Sequence, residues 1–247
     1  MTSFRDRAFI PLDTVDSTNN YAANLLKMTS PPDGTVITAL EQTHGRGQRG
    51  TSWSSKKGDN LLCSMIIYPT FLKGTDIFIL SKIVALSIAE TIEELVGQDT
   101  LIKWPNDIIV REKKIAGILI ELNWSDQSIQ SAIIGMGINL NQRVMEFAHS
   151  ISAIGIKGKP TPLQVILDAL LLRFDYWYSA LKKQQFDVIH QSYRSKLFRL
   201  DQVAHYTYQG MPLQATVRDV DSNGQLILES TTGERFSCDL KEVIFHY

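Results

Sequence analysis

Three glycines and two arginines in the stretch Gly45-Arg46-Gly47-Gln48-Arg49-Gly50 are well suited to meet an anion. Closely spaced glycines let successive backbone N–H groups turn toward one point, and arginine grips phosphate or carboxylate through parallel donors. The stretch also satisfies the dinucleotide pattern G-x-G-x-x-G. That pattern acts on a pyrophosphate only where its last glycine opens a helix, and here a polar, turn-rich run from Thr51 to Asn60 follows. A Walker loop is excluded as well, because Gly50 is followed by Thr51 and not by lysine. An anion-binding loop and an ordinary loop of solvated arginines both remain open. Trp53 has two readings of its own, a ring that stacks on a purine or a core side chain. His44 adjoins the loop without a His, Cys or Glu cluster beside it, so a base or metal role has no support.

Further along, Lys103-Trp104-Pro105-Asn106-Asp107 reads as a turn between strands, which projects Lys103 and Asp107 from a sheet end. Lys113-Lys114-Ile115-Ala116-Gly117 leads into the next strand. Ile134-Gly135-Met136-Gly137-Ile138-Asn139-Leu140 is an apolar strand with two interior glycines. Glycine weakens a strand, so its presence there points to a close approach by backbone or ligand.

These groups need a scaffold, and the pattern supplies one. Ser17 to Met28 reads as a helix with Tyr21, Leu25 and Met28 on one face and Ser17 or Thr18 at its N-cap. Strands are expected at Thr35 to Leu40, Leu61 to Tyr68, Thr100 to Lys103, Ile108 to Val110, Ile115 to Leu122 and Ile129 to Ile138. Thr75 to Val96 is apolar at helical spacing and stops at Gly97, and Pro162 to Lys183 and Phe186 to Tyr193 are helical again. Helices packed on a mixed or antiparallel sheet follow, an α/β (α+β) class. After about Leu200 the pattern shortens to strands around Asp221-Ser222-Asn223-Gly224 and Thr231-Thr232-Gly233-Glu234, as in a small SH3-like β-barrel. The boundary falls near Ser195, which divides the chain into residues 1–195 and 196–247.

The chain has 247 residues, 44% hydrophobic and 21% charged, enough to fill a real core. Its 25 Lys and Arg against 26 Asp and Glu give a net charge of −1, so binding of nucleic acid through bulk charge is not expected. Two distant cysteines make neither a disulfide framework nor a zinc site, and Cys63 reads as a buried thiol. The stretch Ile77 to Val96 carries Lys82, Glu90, Glu93 and Glu94, so it does not span a bilayer. A cytoplasmic protein is expected.

Taken in order, the motifs resemble the biotin protein ligase family. Asp16-Ser17-Thr18-Asn19 precedes a helix, and Glu41-Gln42 leads into the glycine loop and Trp53. Next come Lys103-Trp104-Pro105-Asn106-Asp107, Lys114-Ile115-Ala116-Gly117-Ile118-Leu119-Ile120-Glu121 and Gly135-Met136-Gly137-Ile138-Asn139-Leu140. The match runs from about residue 10 to 140, with a looser fit of the barrel. The resemblance implies a biotin/lipoate ligase-like catalytic domain that activates biotin with ATP as biotinyl-adenylate, then passes biotin to a lysine of a biotin carboxyl carrier protein. Mg²⁺ is implied as the nucleotide's ion, with no permanently bound cofactor.

Carried over by position, the biotin-binding residues are Ser17, Thr18, Asn19, Gln42, Gly45, Arg46, Gly47, Gln48, Lys114 and Gly117. The ATP-binding residues are Arg46, Arg49, Trp53, Lys103, Asn106, Lys114 and Asn139. Lys114, Arg46, Lys103 and Asp107 carry the catalytic roles, and Asp107 serves either the metal or the incoming lysine. Relatives often have arginine where this chain has Gln48, in a loop that retains the adenylate. Some relatives also carry an N-terminal DNA-binding module; about fifteen residues precede Asp16, so repression and nucleic-acid binding are not expected. No membrane partner is expected, and a homodimer stays open. A lipoate or octanoate ligase or transferase and a non-catalytic biotin sensor are the competing readings.

Overall fold

The structure, a computed structural model, describes residues 7–73, 76–125 and 128–246. The chain enters through β1 (Phe9–Val15), crosses over by α1 (Thr18–Met28) and returns as β2 (Thr35–Gln42), parallel to β1. β3 (Leu61–Ile67) runs antiparallel to β2, and α2 (Phe78–Val96) then crosses the sheet. β4 (Leu101–Lys103), β5 (Asp107–Val110), β6 (Lys113–Ser125) and β7 (Ser128–Ile138) form an antiparallel meander. β7 inserts beside β3, giving a mixed seven-stranded sheet of order β1-β2-β3-β7-β6-β5-β4 among the described residues.

Two helical layers cover that sheet. β3 is buried along its whole length, as an uninterrupted apolar strand must be when both faces are covered. On one face lie α2, α4 (Leu163–Lys182) and α5 (Phe186–Ser195), reached through the short α3 (Ala153–Lys157). On the other, α1 lays Ala22, Tyr21 and Leu25 against Ile37, Ile66 and Ile133. Met28, expected on the same apolar face, is exposed. Gly97 ends α2 in the left-handed conformation and donates its N–H to Glu93 O at 2.8 Å, as its position after the apolar run anticipated. The expected start of α2, Thr75, lies outside the described residues. β1 is absent from the sequence reading because Pro11 and its polar neighbours blur the alternation. Pro11 is tolerated there because β1 is an edge strand.

The C-terminal strands are β8 (Val203–Tyr208), β9 (Met211–Val220), β10 (Leu226–Ser230), β11 (Arg235–Cys238) and β12 (Val243–Phe245). They form an antiparallel five-stranded sheet, β11-β10-β9-β8-β12, the small all-β unit that the short strands indicated. Its apolar side shares one continuous core with α2, α4 and α5. Polar bonds join the two as well. Trp104 Nε1 donates to Gly224 O at 2.9 Å, and Lys82 Nζ, only 4% exposed, donates to Val220 O at 3.0 Å. Burial pulls the Lys82 ammonium below the usual lysine range. The turn carrying Lys103 to Asp107 is therefore backed by the small sheet. Among the described residues, no helix is long and apolar enough to cross a membrane.

Candidate active site

The centre of the large sheet is bare on the α1 side. Gly135 and Gly137 of β7 lie beside Ser64 and Leu62 of β3, and Gly137 pairs with Gly117 of β6. Absent side chains leave a cavity of about 250 Å³, walled by the start of α1, the glycine loop and the β5–β6 hairpin. A Cβ on Gly135 would come within 2.4 Å of Asn19 Oδ1, so glycine is needed for α1 to approach so closely.

One end of the cavity is a cluster of neutral polar groups. Gln42 Oε1 accepts from Thr18 N at 2.8 Å and from Thr18 Oγ1 at 3.0 Å. Ser64 Oγ lies 2.7 Å from Thr18 Oγ1 and 2.6 Å from Asn19 Oδ1. Ser17 occupies the N-cap position of α1 but its side chain makes no capping bond, so its hydroxyl is left for the cavity it lines. Hydroxyls and carboxamides can donate and accept, which suits a neutral head carrying both kinds of group. Cys63 sits one residue away but is only 1% exposed and packs into the core. Burial pushes its thiol up to about 12. At about pH 8 iodoacetamide should leave Cys63 unmodified in the native protein and label it after unfolding; peptide mass spectrometry reads the difference.

The opposite end is charged. Lys114 Nζ lies 2.7 Å from Asp107 Oδ1, and Asn106 Nδ2 donates to Ile118 O at 2.9 Å. Trp53 lies flat across the sheet between these ends: a Cβ on Gly137 would meet its indole at 2.6 Å, and Lys114 Nζ is 5.6 Å from the ring. It is half-buried, neither the free loop aromatic nor the core residue that the sequence offered. Arg46, Gly47 and Gln48 close the cavity from above.

The structure thus brings Ser17, Thr18, Asn19, Gln42, Arg46, Gly47, Gln48, Trp53, Asn106, Asp107, Lys114 and Gly117 to one cavity. Others stand apart. The Lys103 ammonium lies 5.2 Å from the centre of the Phe245 ring, against the small sheet. Asn139 is buried, with its amide donating to Ile151 O at 3.3 Å, where it ties the residues after β7 to the strand. Gly45 faces an adjoining outer cleft, and the Arg49 side chain lies outside the described residues. Exposed His44 makes its contact with the neighbouring Thr43, away from this cavity. Sequence reasoning missed Ser64, because a serine inside an apolar strand carries no signal until its register with Gly135 is known. Glu121 was visible in its motif without a role.

The family model for the biotin/lipoate A/B protein ligase family matches residues 12–139. Over 242 residues the chain is 30% identical to the bifunctional ligase/repressor BirA of Bacillus subtilis, covering 93% of this chain and 72% of that one. It is 28% identical over 235 residues to the biotin–[acetyl-CoA-carboxylase] ligase of Paracoccus denitrificans, covering 91% and 95%. Among solved structures, the biotin protein ligase from Aquifex aeolicus in complex with biotin and ATP superposes with a TM-score of 0.79 at 26% identity, covering 97% of this chain and 98% of that one. The matched span holds every residue of the cavity wall described above, and on fold, motifs and similarity the chain belongs to the biotin/lipoate A/B protein ligase family.

Proposed function

We propose that this protein is an ATP-dependent biotin ligase. It activates biotin as biotinyl-5′-AMP and transfers biotin to a lysine of a biotin carboxyl carrier protein. The observation that carries this reading is a single cavity with a neutral hydrogen-bonding cluster at one end and Lys114 at the other. That arrangement suits an acid with a ureido head and a carboxylate tail better than a plain acyl chain, which offers nothing to the hydrogen-bonding capacity that the Ser17, Thr18 and Gln42 side chains keep beyond their bonds within the protein. Relatives named for biotin ligation support it independently.

In this proposal Ser17, Thr18, Asn19 and Gln42 hold the ureido head, with Arg46, Gly47 and Gln48 above the cavity and Gly117 beneath the acid near Lys114, while Gly45 is proposed from resemblance alone. Apolar strand residues flank the acid's chain, at about 0.8 kcal/mol per methylene buried. The first step sets a carboxylate against a polyphosphate. Two unit charges about 4 Å apart repel by roughly 4 kcal/mol at an effective dielectric near 20, so cations must converge there. Lys114 meets that need at the charged end of the cavity. A carboxylate oxygen attacks the α-phosphorus; the bond to the bridging oxygen breaks, and its electron pair leaves with pyrophosphate. In the second step the uncharged carrier amine attacks the acyl carbon, the mixed anhydride opens, AMP leaves with the electron pair, and the nitrogen gives up one proton to solvent.

Mg²⁺ enters with ATP as part of the substrate and screens phosphate charge. Among the described residues no group of three or more His, Cys, Asp or Glu side chains could hold a resident metal, and Asp107 is the one carboxylate on the cavity wall. That suits an ion carried mainly by phosphate oxygens and water, with Asp107 available to it or to the incoming amine. The nucleotide side rests on Lys114, Asn106 and Trp53, with Arg49, Lys103 and Asn139 proposed from resemblance alone. The division at about Ser195 into a catalytic unit and a small C-terminal module, and a cytoplasmic location, belong to the same proposal.

Gln48 replaces a charge with a carboxamide above the cavity. Gln48→Arg should slow release of biotinyl-adenylate, about tenfold if the added cation gains one charge-assisted bond to the phosphate. An unchanged release rate in single-turnover gel filtration would remove Gln48 from the retaining loop. The function itself is tested by pyrophosphate release from Mg-ATP with biotin, lipoate or octanoate offered separately, followed by an acceptor domain. Biotin-dependent release and avidin-detectable acceptor are expected. Release with lipoate or octanoate alone reassigns the substrate, and biotin binding without pyrophosphate makes the protein a sensor.

A further inference from the structure

Glu121 sits where β6 leaves the cavity, and three elements meet on its half-buried carboxylate. Oε2 accepts from Asn19 Nδ2 of α1 at 2.7 Å. Oε1 accepts from Arg46 Nη2 of the glycine loop at 2.5 Å, while Arg46 Nη1 reaches Oε2 at 3.4 Å and Asn20 Oδ1 at 2.6 Å. Arg46 is therefore not a loose cation waiting for phosphate. Its guanidinium is spread over one carboxylate and one carboxamide in a forked geometry.

The loop that Arg46 belongs to is internally stiff. Arg46 and Ser52 form an antiparallel bridge, Trp53 N donates to Gly45 O at 2.9 Å, and Gly47 N donates to Thr51 O at 2.7 Å. The segment from Gly45 to Trp53 is a small hairpin that carries Gln48 at its tip and Trp53 at its return. A contact that fixes Arg46 fixes both of them over the cavity. Because Gln48 is uncharged, it adds no second ionic anchor.

We propose that Glu121 is a positioning residue: it docks this hairpin over the cavity through Arg46 and thereby sets how fast the activated acid escapes. Asn19, shared between Glu121 and the head-group cluster, links docking of the hairpin to occupancy of the head site. The inference rests on the ligase reading for its substrate but not for the docking itself. The Arg46 and Glu121 side chains are 44% and 32% exposed, so salt screens their attraction and the expected effects are several-fold.

The experiment pairs two readouts. Glu121→Gln keeps an acceptor for Asn19 but removes the charge that holds Arg46. In this variant trypsin should cut after Arg46, Arg49, Lys56 or Lys57 about five times faster than in the unliganded wild type, with thermal unfolding unchanged. Release of biotinyl-adenylate should be five- to tenfold faster, and should lose the salt dependence that the wild type shows. Arg46→Gln combined with Glu121→Gln should release it no faster than Arg46→Gln alone, since both remove one contact. Wild-type rates of cleavage in Glu121→Gln, or additive effects in the double variant, would overturn the proposal. If the wild type makes no adenylate from biotin, the ligase reading fails, and the cleavage rates still decide whether Glu121 docks the hairpin.

Discussion

Replacing Lys114 with alanine should lower biotin-dependent pyrophosphate release by about 10²- to 10³-fold, the usual loss when one preorganised charge partner is taken from a transition state. The side chain is 33% exposed, so water can partly replace it and the lower half of that range is the better expectation. Folding should hardly change, because the main chain of Lys114 is pinned on both sides: its N–H donates to His149 O at 2.8 Å and its carbonyl accepts from Ile151 N at 2.9 Å. The loss belongs in kcat for adenylation, with biotin binding reduced less, since the head cluster is at the far end of the cavity. Transfer from supplied biotinyl-adenylate should also suffer less than its formation. A variant that releases pyrophosphate within threefold of the wild type would take Lys114 out of the reacting centre.

Adding an isopropyl group at the opposite end should act on binding instead. In Gly135→Val the new Cβ would stand 2.4 Å from Asn19 Oδ1 and 3.0 Å from its Cγ. Asn19 is 3% exposed and bonded to both Ser64 and Glu121, so it cannot swing into water without breaking those bonds. Each broken or stranded buried hydrogen bond costs about 1–3 kcal/mol. A loss of about 2–3 kcal/mol in biotin affinity, roughly 30- to 150-fold, is the expected result in calorimetric titration. KM for biotin should rise while kcat at saturating biotin changes little. A variant that binds biotin as the wild type does would show that the head lies elsewhere. Lys114→Ala and Gly135→Val thus separate the two ends of one cavity, one through kcat and the other through KM.

Much of this arrangement is legible in residue order. The apolar periodicities mark α2, α4 and β3 because each buries a long contiguous surface, and core burial leaves its imprint on every third, fourth or second residue. The interior glycines of β7 announce a close approach because they have no other reason to weaken a strand. Gly-Arg-Gly-Gln-Arg-Gly, Lys-Trp-Pro-Asn-Asp and the lysine before Ile-Ala-Gly name the chemistry, since donors and cations are properties of residue type.

Direction and partnership are not properties of residue type. Alternation counted back from Gly117 turns Lys114 toward the helices, yet the structure aims it into the cavity. A bulge does this: Ile108 pairs with Ala116 and Ile109 with Lys114, so Ile115 is the extra residue and the face of the strand switches. Lys103, equally basic and in a clearer motif, is drawn to Phe245 because a sheet built 140 residues later packs behind its turn. Ser64 and Glu121 enter the site through register and through α1, neither of which is written near them in the chain. Residue identity and local spacing determined that this chain carries the cations and glycines an anion site needs. Which lysine faces it, and which carboxylate holds the loop above it, was decided by strand register, one bulge and the packing of elements distant in sequence. A side chain's direction is fixed by the backbone beneath it and by whatever the rest of the chain brings alongside.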